Sequence, residues 1–172
     1  MKIDLQPVGA IEKDILLHLK DSLHKVFGCP VAINGTMPIP GEAFNSGRDQ
    51  YLSDVFLGRL GDSKQPDTYI LGVTDVDLYT EGLNFVFGQA DIEGGISIIS
   101  LHNLRQENYG LPADYDLLLE RALKEAVHEL GHNLGMGHCQ DGYCVMHFSN
   151  SLIDTDVKKA YFCGNCRPKL PL

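Results

Sequence analysis

The strongest constraint in this sequence lies at residues 128–138, which read His-Glu-Leu-Gly-His-Asn-Leu-Gly-Met-Gly-His. His128 and His132 are four residues apart, so on a helix they share one face and both imidazoles reach a single metal ion. Glu129 lies about 100° around the helix from His128 but only about 60° from His132. It flanks the metal without ligating it, which suits a general base acting on a metal-bound water. Gly135 tolerates positive φ, so the chain can turn there and return His138 as a third ligand. Three neutral nitrogens leave a fourth position open, the arrangement of a catalytic zinc site. A lone histidine on a helix reads as ordinary core or surface; three with this Glu and Gly do not.

The helix that carries the motif supports this reading. Over residues 113–134 an apolar stripe of Tyr115, Leu118, Leu119, Ala122, Leu123, Ala126, Val127, Leu130 and Leu134 is complete without the motif histidines. Arg121, Glu125, His128 and His132 share the opposite, polar face. Such a face has no use in a core and is natural in a cleft.

Four of the five cysteines crowd into the last quarter of the chain. Cys139 and Cys144 are followed by a C-x-x-C at Cys163-Gly164-Asn165-Cys166. Four thiolates make a closed tetrahedral structural zinc site. It would fasten the C-terminal segment to the active-site loop, because Cys139 directly follows His138. Disulfides suit an oxidising compartment, and a C-x-x-C redox pair needs a strand-to-helix setting. An iron–sulfur cluster uses the same four cysteines and stays open. Cys29 stands alone and reads as a buried apolar residue.

The formal net charge of −9 disfavours nucleic acid and anionic membranes as partners, since both need a basic patch. No apolar run approaches the roughly 18 residues of a membrane span. Met1–Ala10 contains Asp4, Gln6 and Pro7 and lacks a signal-peptide apolar region, so the expected compartment is the cytoplasm. Hydrophobic residues make up 44% of 172, enough to build one domain over 1–172, with 139–166 as its four-cysteine zinc-binding segment. Nothing in the sequence fixes an oligomeric state.

Elements follow from periodicity. Residues 2–8, 31–33, 68–74, 84–90 and 95–101 read as strands, with a turn at Asp91–Gly94. Residues 11–27 read as an amphipathic helix closed by Gly28 and Pro30. Ser46 and Asp49 resemble a capping box that starts a helix running to Leu60. A last short helix is expected at 154–162. The expected class is α/β (α+β), with a mixed sheet.

Together these residues resemble the archaemetzincins, a family of zinc-dependent metallopeptidases. The resemblance rests on His128 through Cys139, then Cys144-Val145-Met146, then Cys163-Gly164-Asn165-Cys166. It covers residues 128–166 strongly and the earlier part mainly in the order of elements. It implies a metzincin-like single domain with a mixed twisted sheet, a backing helix and a long active-site helix. It further implies two zinc ions per chain: a catalytic one on His128, His132 and His138, and a structural one on Cys139, Cys144, Cys163 and Cys166. Glu129 would be general base and proton shuttle, and Met146, eight residues after His138, the methionine turn. An edge strand would pair with extended peptide substrate, and Gly95, Ile96 and Ser97 are the candidates for it.

The leading expectation is therefore hydrolysis of a peptide bond in a peptide or protein substrate, with endo- and aminopeptidase-like action both open. A non-catalytic zinc-containing protein that binds peptides is the alternative, though a pure binding site has no need of Glu129. A small-molecule amidase would use the same ligands.

Overall fold

The computed structural model describes residues 1–62 and 64–170. β1 (Lys2–Val8) runs parallel to β5 (Thr68–Thr74) over its full length, from Lys2 opposite Thr68 to Val8 opposite Thr74. β2 (Val31–Ile33) adds in parallel outside β1, and β8 (Ile96–Ser100) adds in parallel to β5. β7 (Gly88–Asp91) closes the far side antiparallel to β8, giving the order β2-β1-β5-β8-β7. The sheet is mixed, as the sequence reading has it.

Inner parallel strands are covered on both faces, and alternation within each strand sorts its side chains. Leu71 and Val73 of β5 join the core beneath α1 (Lys13–Phe27) and α3 (Tyr115–Asn133). Ile70, with Ile96 and Ile98 of β8, packs on the other face against Phe56, Leu57 and Leu60 of α2 (Ser53–Gly61). α1 presents Ile15, Leu19, Leu23 and Phe27 inward at four-residue steps, and ends at Gly28, which takes φ 65° and donates its N–H to the His24 carbonyl. α3 starts where Asp114 accepts the Leu117 N–H.

Three boundaries differ from expectation. Ser46 and Asp49 cap no helix. The Asn45 side chain accepts the Gly47 N–H, the Arg48 N–H returns to the Asn45 carbonyl, and Asp49 takes φ 54°. This side-chain turn outcompetes a helix start and makes a hairpin of β3 (Phe44–Asn45) and β4 (Gln50–Leu52), with β6 (Leu78–Tyr79) parallel to β4. The strand expected at 84–90 joins the sheet only from Gly88. The last helix, α4 (Leu152–Val157), lies earlier than 154–162, because Ser151 and Asp154 form a reciprocal capping box. No helix among the described residues is long and apolar enough to cross a membrane.

Candidate active site and metal centres

α3 delivers His128 and His132 side by side, with Nε2 atoms 3.1 Å apart. Their Nδ1 atoms lie 2.7 Å from the carbonyls of Val145 and Met136 respectively. A carbonyl only accepts, so each Nδ1 carries the proton and each Nε2 is left with its lone pair. The chain leaves α3 through Gly135, at φ 83°, and brings His138 back. Its ring stacks on His128 at 5.4 Å and 23°, and leans on Phe148 at 4.9 Å. The ligand atoms of the three histidines all lie within 4.8 Å of one another.

This donor set fits a divalent cation. Lone pairs facing each other at 3.1 Å repel unless a cation sits between them, and zinc–nitrogen bonds of about 2.0–2.1 Å give nitrogen–nitrogen edges of about 3.3 Å. Burial holds His128 well below the ordinary imidazole value, assisted by the charge of Lys158. His132 and His138 are also lowered, again chiefly by burial. All three are therefore kept in the neutral form that ligates.

Glu129 is buried on the wall of the same cleft, a cavity of about 400 Å³. Burial raises its carboxyl well above the usual value, Glu125 one turn earlier adds to this, and Lys158 opposes it. Opposite Glu129 stands Gly88 of β7. A Cβ there would meet the Cγ and Oε1 of Glu129 at 2.7 Å and the Ile98 carbonyl oxygen at 2.9 Å. Leu83, Phe85, Val86, Phe87 and Phe148 give the cleft an apolar lining.

The floor is the segment Cys144-Val145-Met146, buried throughout. The Val145 carbonyl orients His128, the Met146 sulfur lies against Gly131 between the two helical histidines, and the Met146 carbonyl accepts the Cys139 N–H at 2.9 Å. From this floor the chain runs into the second cluster. The Sγ atoms of Cys139, Cys144, Cys163 and Cys166 lie within 4.8 Å of one another, with none in a disulfide. Cys139 and Cys163 Sγ are 3.8 Å apart, which matches the edge of about 3.8 Å in a tetrahedron of ~2.3 Å zinc–sulfur bonds. Cys29 is buried in the main core with its thiol pushed up by burial.

The candidate substrate-binding residues fall elsewhere. Gly95, Ile96 and Ser97 do not line the cleft, because β8 is paired on both sides, with β5 and β7, and Ser97 is fully buried. The edge strand at the cleft is β7, whose Gly88, Gln89 and Ala90 line it. Asp75 pairs with Arg105, and Asp77 accepts from Gln50 and Asn103. The His147 ring donates to the Cys139 carbonyl. Missing from the sequence reading are Gly88, Phe148 and Lys158. No motif or spacing in the sequence singles out any of the three.

The sequence profile of peptidase family M54 matches residues 40–171. The chain belongs to that family. It is 47% identical to the archaemetzincin of Pyrococcus furiosus, over 95% of this chain and 89% of the relative. It is 46% identical to that of Methanocaldococcus jannaschii, over 99% and 93%. Among solved structures, the archaemetzincin of Archaeoglobus fulgidus complexed with malonate superposes with a TM-score of 0.85 at 38% identity, covering 98% of this chain and 99% of that one. A zinc-dependent peptidase from Methanocorpusculum labreanum gives 0.86 at 33% identity, covering 98% and 99%. The family resemblance and metzincin-type architecture inferred from residues 128–166 are thus borne out. As an M54 peptidase the chain is a zinc metallopeptidase.

Proposed function

We propose that the cleft between α3 and β7 hydrolyses peptide bonds, with His128, His132 and His138 as ligands of one zinc ion and Glu129 as general base. A zinc ion there supplies Lewis-acid polarisation of the scissile carbonyl and lowers the pKa of a water to about 7. The Glu129 carboxylate takes the proton of the attacking water and passes it to the leaving nitrogen. Its raised proton affinity suits both halves of that task, because an acid–base group works best when its pKa lies near the working pH. Cys139, Cys144, Cys163 and Cys166 hold a second, structural zinc, and the methionine turn at Met146 joins the two centres. The whole chain acts as one catalytic domain.

The unpaired side of β7 offers backbone groups to an extended peptide, and substrate side chains meet Phe85, Phe87 and Phe148. Peptides with an apolar residue beside the scissile bond are the preferred substrates. Four free thiols at ligand distance suit a reducing compartment, in keeping with the cytoplasm.

The observation that carries this reading is the convergence of two Nδ1-protonated histidines and His138 on one point, with Glu129 on the adjoining wall. Metal analysis of wild type and His128→Ala tests it, together with assays of both and of Glu129→Ala on a mixed peptide library. Zinc at both centres in wild type, loss of the histidine-site zinc in His128→Ala, and cleavage abolished by Glu129→Ala are expected. Zinc without cleavage of any peptide favours the binding protein, and iron at the cysteines overturns the second zinc.

A further inference from the structure

The most unusual buried group outside the ligand sets is Lys158. It stands just after α4 and is fully buried. Its Nζ meets Glu125 Oε1 as an ion pair at 2.9 Å, without the angles of a hydrogen bond and with no other partner for its three N–H groups. Glu125 is buried too, and the same Oε1 accepts from the Thr155 hydroxyl at 3.3 Å. Glu125 borders the cleft and precedes Glu129 by one helical turn.

A buried pair of this kind is a poor device for stability. Desolvating both charges costs more than their attraction returns unless every donor is satisfied, and replacement by apolar residues is often neutral or stabilising. Here the ammonium is under-satisfied. Its neighbours show how the clamp could be made more conventionally. Arg121, on the same face of α3, holds Asp156 with two hydrogen bonds of 2.7 Å, which already dock α4. What Lys158 adds is a fixed positive charge beneath the cleft, felt at Glu129 and at all three histidines.

We propose that Lys158, paired with a Glu125 that also accepts from Thr155, is a positioning residue of the catalytic centre: it pins the Glu125 side chain one turn behind Glu129 and sets the charge beneath the histidine site. This rests on the peptidase reading above. It also gives the C-terminal segment a part in the site, because Lys158 is carried between α4 and Cys163. The adjoining chain is tied to the floor by the Lys159 N–H to the Tyr143 carbonyl and the Val145 N–H to the Tyr161 carbonyl.

The test is the double variant Lys158→Met/Glu125→Leu, which removes both charges at similar volume. It is expected to melt no lower than wild type and to keep its zinc. Its kcat should fall about tenfold or more with KM little changed. With zinc left at the cysteines and cobalt exchanged into the histidine site, its visible absorption bands should shift. A folded double variant with wild-type kcat and an unshifted cobalt spectrum overturns the proposal. If the double variant does not fold, Thr155→Val removes only the hydroxyl on Glu125. A fall in kcat with shifted bands then supports the proposal, and no change in either overturns it. Should wild type itself cleave nothing, the peptidase reading fails, while the cobalt spectra still decide the role of Lys158.

Discussion

Gly88 and Glu129 occupy adjoining space across the cleft: a Cβ on residue 88 would stand 2.7 Å from both Cγ and Oε1 of the glutamate. The constraint is steric rather than conformational. The Ile98 carbonyl behind residue 88, at 2.9 Å from the same Cβ, is backbone and cannot step aside, so a side chain there displaces Glu129. Gly88→Ala should therefore reduce kcat by about 100-fold, the cost of misplacing a reacting group by about 1 Å. Metal content should change little, since the atoms this Cβ would meet belong to Glu129 and Ile98 and not to the histidines. Steady-state kinetics with metal analysis checks this, and loss of metal in the variant would point instead to a wider collapse of the site.

Glu129→Gln separates the chemistry of the base from its cost to the fold. Turnover should fall by about 10²–10⁴-fold, the usual contribution of a general base, with metal retained. Burial, followed by Glu125, holds the Glu129 carboxyl well above its ordinary value of 4.5. The folded metal-free chain thus binds this proton more tightly than the unfolded chain. The resulting stabilisation is full below that ordinary value and is lost as pH rises through the folded one. Metal-free Glu129→Gln should therefore melt above metal-free wild type at about pH 8, with the gap closing on acidification. Calorimetry across that range reads the effect, and a gap that widened toward acid would contradict the burial argument.

Much of the site was legible because its information is local. His128 and His132 are set by helical periodicity, and one glycine at residue 135 is enough to return His138. The cysteines announce themselves by spacing and by lack of other use. What was illegible depends on pairing between distant segments. The sequence marks 95–101 as a strand but not as an interior one, since the edge position goes to β7 only once β8 has paired with β5. The role of Gly88 exists only after α3 has crossed β7. Lys158 belongs to no motif, and it follows a short helix begun by a capping box at Ser151–Asp154 that lies outside any catalytic pattern. In the same way, the Asn45 turn defeated the helix start expected at Ser46, because a side-chain oxygen was free to take the Gly47 N–H.

The histidine site should hold its metal through mild acid. Burial, the first cause at each position, lowers His128, His132 and His138 below the ordinary 6.5. Protons compete with a metal only where the ligands take them up, so loss should begin below pH 6.5 rather than at it. The metal-free fold feels the same groups with a defined sign. Between the depressed folded values and 6.5 the unfolded chain binds more protons. Stability is therefore full above that window and falls as pH drops through it. Chelator competition from about pH 8 to pH 5, run beside melting of the metal-free chain, measures both. Release already half complete at pH 6.5 would show that burial does not protect these imidazoles.

The four cysteines should differ in reactivity once their metal is removed. The Asn165 N–H, followed by that of Cys166, draws the Cys163 thiol down to about 7, while burial pushes Cys144 up. Cys166 is raised further still, by burial and by its three sulfur neighbours. Since the thiolate is the nucleophile, iodoacetamide at about neutral pH should alkylate Cys163 first in chelator-treated protein. Cys29, buried and raised, should stay unmodified, and all four clustered cysteines should be protected when metal is bound. Peptide mapping by mass spectrometry reads the order directly. Cys163→Ser should then lose the metal of this site and melt lower, because the segment from Tyr161 to Lys169 is tied to the floor of the cleft partly through these sulfurs. A variant that kept full metal content and an unchanged melting temperature would mean that the cysteine cluster does not hold the C-terminal segment in place.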